Sequence, residues 1–188
     1  MDIVNKERLR FNIHQLKLGI ENYRTLYPYM ASFTAQASQY FTRLALEGNY
    51  FFNYKEGGLD VRLFAGKFFY NENSTYPYGY HIDRFALNLS GPNGEEDYTY
   101  SDYFVGRSRF EGLASQQMMI RDGGFKIRTD LLSSKVGKTG NWLAAINLNS
   151  TIPSNLNPLS ILPIKIPLHI FVDIGTYAEA WEPEADTD

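Results

Sequence analysis

Cysteine is absent from this chain of 188 residues, and histidine occurs only three times. The lack of cysteine excludes disulfide scaffolds, thiolate metal sites and cysteine catalysis. No run of about 18 apolar residues occurs, which excludes a transmembrane helix. It does not exclude a membrane β-barrel, because barrel strands alternate apolar and polar residues. The 18 basic and 21 acidic residues give a net charge of −3. This balance argues against nucleic acid as a partner, because no excess positive charge is available to neutralise phosphates.

Residues that could carry catalysis or hold a cofactor show no recognisable spacing. His14, His81 and His169 are far apart, each on a predicted strand, and none belongs to the H-E-x-x-H pattern of zinc hydrolases. Gly137-Lys138-Thr139 lacks the first glycine of a phosphate-binding loop, since Leu132 occupies that position. The nucleophile elbow G-x-S-x-G is also missing. We therefore expect no catalytic residue, no metal site and no cofactor in this chain.

Aromatic and β-branched residues dominate what is present, with 14 Tyr and 13 Phe. They are typical of an all-β chain. The clearest alternation of apolar and polar residues runs over residues 40–54 and again over 59–70. A turn at residues 55–58 separates the two runs, and a four-residue loop would place Tyr54 opposite Leu59. The two runs therefore predict a long antiparallel hairpin.

Five further segments are predicted to be strands from the same alternation. The first carries a shift of phase that predicts a β-bulge, and the last contains Pro167, which predicts an edge or a bulge. Residues 24–38 are predicted to form a loop or one short helix. The five segments are residues 8–23, 80–90, part of 115–132, 141–149 and 164–175.

The strands of this all-β chain are longer than the roughly 5–6 residues usual in soluble proteins. We predict an antiparallel meander of about seven long strands that forms a β-barrel or an open part of one. In a membrane barrel, one face of each strand meets lipid and the other faces the lumen. The candidate lipid- or core-facing residues are Leu44, Leu46, Tyr50, Phe52, Val61, Leu63, Ile164, Ile166, Leu168, Ile170, Val172 and Ile174. The candidate lumen-facing charges are Arg43, Glu47, Asp60, Arg62, Lys126, Arg128, Asp130 and Asp173.

Aromatic residues near the predicted strand ends are typical of the girdle of a membrane barrel. They are Tyr23, Tyr40, Tyr54, Tyr70, Tyr80, Tyr177 and Trp181. The alternative is a soluble β-sandwich or a lipocalin-like binding module, in which the apolar face lines a core or a ligand cavity. Alternation is common to both classes, so the medium that contacts the apolar face decides between them.

Two segments resemble a bacterial family. Residues 59–70, LDVRLFAGKFFY, and residues 122–131, DGGFKIRTDL, resemble the C-terminal region of large envelope proteins of Bacteroidetes-type bacteria. Those proteins are gluzincin metallopeptidases of the aminopeptidase N family, followed by an outer-membrane barrel-like region. Residues 103–128 more loosely resemble bacterial surface-antigen barrels. The zinc motif of the peptidase is absent, and Gly123 stands where the R-G-[FY] signature of the surface-antigen barrels has arginine.

The resemblance implies that this chain is a non-catalytic barrel domain of the outer membrane that anchors or shapes a larger envelope protein. Peptidase activity would lie elsewhere in that protein. We expect residues 1–188 to form a single β domain that is a fragment of the longer chain. The predicted strand number of seven is odd, whereas bacterial barrels have even strand counts. The first residues also lack the apolar segment of a signal peptide. The expected partners are outer-membrane lipid and the remaining strands or domains of the parent chain.

Overall fold

The computed structural model describes residues 12–71, 85–91, 121–129 and 136–181. These residues form an all-β fold dominated by one antiparallel sheet of six strands, which confirms the predicted fold class. The sheet has the order β1-β2-β3-β4-β7-β8, and a second sheet pairs only the short strands β5 and β6. The strands are β1 (His14–Asn22), β2 (Tyr29–Ala37), β3 (Phe41–Tyr54), β4 (Gly57–Tyr70), β5 (Leu87–Asn88), β6 (Lys138–Thr139), β7 (Trp142–Thr151) and β8 (His169–Tyr177).

The large sheet is open over the described part of the chain. Strands β1 and β8 form its two edges, and each has one neighbour in the sheet. Short 3-10 turns at Pro158–Ile161 and Ala178–Ala180 are the remaining regular elements of the described residues. None of these residues belongs to a helix that is long and apolar enough to span a membrane.

The β3–β4 hairpin has a tighter turn than the sequence predicted. Tyr54 pairs with Gly57 rather than Leu59, so only Lys55 and Glu56 form the turn. Glu56 adopts a left-handed conformation with φ of 66°. Gly58 belongs to the strand, where it pairs with Asn53. The Phe51 ring lies over it, and a Cβ atom there would be 1.9 Å from that ring. The predicted register is wrong by two residues, which preserves the face of every side chain because side chains alternate with a period of two.

The prediction for residues 24–38 is wrong, since β2 occupies most of this segment. The residues on one face of β2 alternate between small and aromatic, with Ala31 and Ala35 on either side of Phe33. Alanine has a low β propensity, so the sequence alone gives a weak strand signal here. Pairing with both β1 and β3 over the whole of β2 supplies the missing stability.

Strand β1 pairs residue for residue with β2 along its whole length, so it contains no bulge. The predicted phase shift has another origin. Ile13 lies before the strand and packs against the core, while Leu16 and Leu18 lie on the opposite, exposed face. Residues 8–11 of the predicted strand lie outside the described residues.

The predicted strands at 80–90 and within 115–132 are not long strands in their described parts. In residues 85–91 only Leu87–Asn88 is a strand, and residues 121–129 contain a turn and bends but no strand. Together with residues 136–140, these pieces pack on one face of the large sheet, and we call them the cover segments. Backbone hydrogen bonds join them, including Leu89 N–H to Gly137 O at 2.8 Å and Phe125 N–H to Leu89 O at 2.8 Å.

The last two strands were predicted with different success. The prediction of 141–149 is confirmed by β7 (Trp142–Thr151), whereas β8 begins only at His169. Pro163 and Pro167 lack the backbone donor of a strand. Ile164, Ile166 and Leu168 were predicted on the strand and instead precede it.

The core lies between the cover segments and one face of the sheet, which we call the inner face. The sheet contributes Phe41, Ala45, Phe64, Phe68, Leu143 and Ala145, and the cover contributes Phe85, Leu87 and Leu89. Phe41 packs against Phe85 with ring centroids 5.1 Å apart. We call the opposite face, which the cover segments do not touch, the outer face.

Candidate functional site

The outer face is a continuous apolar surface across all six strands. Its central row joins Ile20, Ala31, Gly48, Leu63, Ile146 and Ile174 as direct strand partners. The row beside it joins Leu18, Phe33, Leu46, Ala65, Ala144 and Thr176. Leu63 is 50% exposed and Ile174 57% exposed, although both lie in the middle of their strands. Side chains of this kind are normally buried.

Aromatic residues lie at both ends of the outer face. At the end that holds the Lys55-Glu56 turn, the turn end, Tyr50 stacks on Tyr29 with ring centroids 6.5 Å apart and contacts Phe52 at 4.5 Å. At the opposite end, the Trp142 end, Phe69 and Trp142 face outwards from β4 and β7. Leu44 and Phe52 bound this face on β3 and are separated by about 27 Å at about 3.4 Å per residue.

The predicted aromatic girdle is partly wrong. Tyr40 and Tyr177 pack against the core, and the Tyr70 hydroxyl donates to the carbonyl of Gly140 at 2.7 Å, so these three rings belong to the inner side. Tyr54 lies on the outer face. Tyr23 and Trp181 are exposed outside the strands, at 85% and 72%. Tyr80 lies outside the described residues.

The hydroxyl of Tyr23 donates a hydrogen bond to the Glu21 carboxylate. This hydrogen bond and the negative charge of Glu21 raise the pKa of Tyr23.

A groove of about 680 Å³ lies on the outer face and is lined by residues of all six strands. Gly48, which has no side chain, and the small residues Ala65 and Ala144 line it, together with the larger Leu46, Leu63 and Ile146. Its size is within the range of roughly 300–1,000 Å³ usual for small-molecule sites. The groove offers hydrophobic contact rather than hydrogen bonds.

The inner face carries most of the charged residues of the sheet, and Arg43 and Arg62 among them are buried. The Arg43 guanidinium contacts Asp122 of the cover, with Nη2 2.7 Å from Oδ1. Its Nη1 donates to Gln36 Oε1 at 3.1 Å, and Gln36 Nε2 in turn donates to Gln15 Oε1 at 2.7 Å. Arg43 is only 6% exposed and Asp122 4%. This group links strands β1, β2 and β3 to the cover.

A second group surrounds Arg62 on β4. Its Nε lies 2.7 Å from Glu47 Oε1, and its Nη1 donates to Asn147 Oδ1 at 2.9 Å. Asn147 Nδ2 donates to the carbonyl of Gly123 at 3.0 Å and to Asp173 Oδ1 at 3.0 Å. One chain of polar contacts therefore connects β3, β4, β7 and β8 with the cover.

Asp173 holds the cover at the edge strand β8. Its carboxylate accepts the backbone N–H of Lys126 at 2.9 Å and lies 3.1 Å from the ammonium of the same residue. The Lys126 ammonium also lies 4.9 Å from the centroid of the Phe171 ring. Nearby, Gly175 allows close packing, because a Cβ atom there would be 2.4 Å from Leu89 Cδ2.

Most predicted lumen-facing charges lie on the inner face. Arg62 pairs with Glu47 across β3 and β4, and Lys126 pairs with Asp173, whereas Arg43 pairs with Asp122 of the cover. Lys126 and Arg128 belong to the cover segments rather than to a strand. Asp60 points to the inner side but is exposed near the turn end. Asp130 lies outside the described residues.

The sequence did not single out Asp122, Asn147 or Gln36. Asn147 could have been found from its place on the polar side of β7. Asp122 gives no such signal, because its role depends on the cover folding across Arg43.

Four buried side-chain atoms have no hydrogen-bond partner among the described residues: Arg43 Nε, Arg62 Nη2, Asn88 Nδ2 and Thr129 Oγ1. Within the same residues, no three metal-ligating side chains form a cluster. The arrangement can therefore do two things in chemical terms: present an apolar surface and hold internal segments through buried charges. Comparison with protein-family models, curated proteins and solved structures finds no match to this chain.

Proposed function

We propose that this chain is a non-catalytic part of an outer-membrane β-barrel, in which the outer face contacts lipid acyl chains. The inner face holds the cover segments inside the barrel. In this role the domain anchors or shapes a larger envelope protein in the membrane. The partners are outer-membrane lipid and further strands of the parent protein.

The observation that carries the proposal is the reversed distribution of polar and apolar residues. Arg43 and Arg62 are 6% and 5% exposed, whereas Leu46, Leu63 and Ile174 are 50–57% exposed. Barrels in the outer membrane have an apolar exterior and a polar interior. A soluble sheet would place the same leucine and isoleucine side chains against its core.

The size of the outer face supports the same conclusion. Six strands at about 4.8 Å spacing and about 27 Å of strand length give roughly 650 Å² of sheet plane. The largest apolar patch of a soluble monomer is typically about 300–600 Å² of side-chain surface, and the side chains of the outer face present more surface than the plane beneath them. With tilts of about 35–45°, the apolar length corresponds to about 20 Å of membrane depth, close to the apolar band of about 25 Å in known barrels.

The parent protein that we propose is an envelope metallopeptidase. The support for this is the resemblance of residues 59–70 and 122–131 to the C-terminal region of such proteins. In this proposal the zinc site and the peptidase reaction belong to a different part of the parent chain. The domain described here contributes membrane attachment only.

Single-cysteine labelling tests the lipid contact, and the absence of native cysteine makes every introduced thiol unique. We expect Leu63→Cys in vesicles to resist a water-soluble maleimide and to react once the protein is denatured. Lys55→Cys, in the exposed hairpin turn, is the control and should react under both conditions. A chain that is monodisperse without detergent and shields Leu63→Cys in the absence of lipid would favour the soluble sandwich or lipocalin-like module instead.

A further inference from the structure

Lys67 is the single charged side chain on the outer faces of the six described strands. Its direct strand partners are Leu44 on β3 and Trp142 on β7, both of them apolar residues. Lys67 is exposed, and it forms no salt bridge with another described residue. A charge in this position needs either water or a counter-ion.

The direction of the side chain identifies the level at which its charge lies. The Lys67 ammonium is 5.1 Å from the centroid of the Phe69 ring. Phe69 follows Lys67 on the same face of β4 and lies nearer the Trp142 end. The ammonium is therefore directed away from the middle of the apolar face. Lysine side chains at membrane boundaries behave in this way, with an apolar stem and a charge at the level of the headgroups.

We propose that Lys67, Phe69 and Trp142 form a binding site for the phosphate group of an anionic membrane lipid, whose acyl chain lies in the outer-face groove. Ala65 lies two residues from Lys67 on β4, and Ala144 lies two residues from Trp142 on β7, in both cases towards the middle of the sheet. Both alanines line the groove. The site therefore combines a cation, two rings at interface level and an adjoining apolar groove. It rests on the proposed function, since it requires that the outer face contacts a bilayer.

Trp142 reports directly on this site, because it pairs with Lys67 and the chain contains only two tryptophans. The full chain carrying Trp181→Phe has one indole, and its fluorescence can be measured in phosphatidylcholine vesicles brominated at defined depths. We expect bromine in the upper part of the acyl chains to quench more strongly than bromine near the bilayer centre. Strongest quenching from the centre would overturn the headgroup site and leave the proposed function intact. No quenching at any depth would contradict the proposed function itself.

The class of lipid is tested in the same chain with a small fraction of brominated phosphatidylglycerol, compared with an equal fraction of brominated phosphatidylcholine. A basic residue near the surface contributes about 1 kcal/mol of attraction to anionic lipid, equivalent to about fivefold local enrichment. We expect phosphatidylglycerol to be enriched about fivefold around Trp142, and Lys67→Gln to abolish this preference.

Lys55→Gln is the matched control, because it removes the same charge from the turn end. The preference should persist in this variant. Loss of the preference in both variants would show an effect of total charge rather than a site. If the preference for phosphatidylglycerol persists in Lys67→Gln, the proposal is overturned. It is also overturned if the unsubstituted chain shows no preference for phosphatidylglycerol over phosphatidylcholine.

Discussion

Replacing Ile174 by arginine gives the most direct measure of the medium that contacts the outer face. Ile174 lies in the central row of this face and pairs with Ile146, and its side chain is 57% exposed. In a barrel, arginine at the bilayer midplane costs about 2–4 kcal/mol of folding free energy. At an exposed site in water, a substitution of this kind usually changes stability by less than about 0.5 kcal/mol. We therefore expect a loss of about 2–4 kcal/mol in vesicles.

Ile170→Arg is the matched control for this substitution. Ile170 is on the same strand and face, is 59% exposed, and lies four residues nearer the turn end. Near the interface the cost of arginine falls to about 0–1 kcal/mol. The two variants therefore differ in depth while the residue type, the strand and the exposure stay nearly constant.

Denaturant unfolding of both variants from phospholipid vesicles provides the free energies. The expected result is a loss at position 174 that exceeds the loss at 170 by at least about 1 kcal/mol. Equal effects at the two positions, or changes below about 0.5 kcal/mol at both, would refute the assignment of the outer face to lipid.

Two further predictions concern the contact between the inner face of the sheet and the cover segments. Asp173→Ala should lower the free energy of unfolding by about 1.5–3 kcal/mol, because it removes the carboxylate that pairs with the Lys126 ammonium and accepts a hydrogen bond from Asn147. Asp60→Ala, at an exposed carboxylate, should lower it by less than about 0.5 kcal/mol, and equal losses would contradict a structural role for Asp173. Gly175→Ala should cost about 1–3 kcal/mol through overlap with Leu89. In the double variant Gly175→Ala/Leu89→Ala, the loss of free energy of unfolding should be smaller than the sum of the losses in the two single variants. A loss equal to that sum would show that the two side chains do not contact each other.

The division of the chain into two faces could be predicted from the sequence because it depends only on alternation. The β3–β4 hairpin illustrates this. Its register was predicted two residues away from the observed pairing of Tyr54 with Gly57, yet every side chain was placed on the correct face. A shift of one residue would have exchanged the faces. The alternation of apolar and polar residues therefore predicts the face on which a side chain lies more reliably than it predicts the residue with which it pairs.

The cover segments could not be predicted because their side chains also alternate. Phe125 packs against the core, whereas Ile127, two residues later, is 62% exposed. A local pattern of this kind predicts a strand whether the apolar residue meets a neighbouring strand or a distant surface. The ion pair of Arg43 with Asp122 could not be predicted for the same reason, because it joins residues that are distant in the sequence. These contacts depend on the path of the chain after β4, which no short window of sequence contains.

The pairing of β4 with β7 has a consequence for the rate at which the chain folds. Their pairing joins residues as distant in the chain as Leu59 and Ser150, whereas the pairs among β1 to β4 and between β7 and β8 are local. Closing a long loop costs entropy before any contact compensates for it, so distant pairing forms slowly. The two local units should assemble first and meet in a late, rate-limiting step, and the cover must reach its place before or during that step.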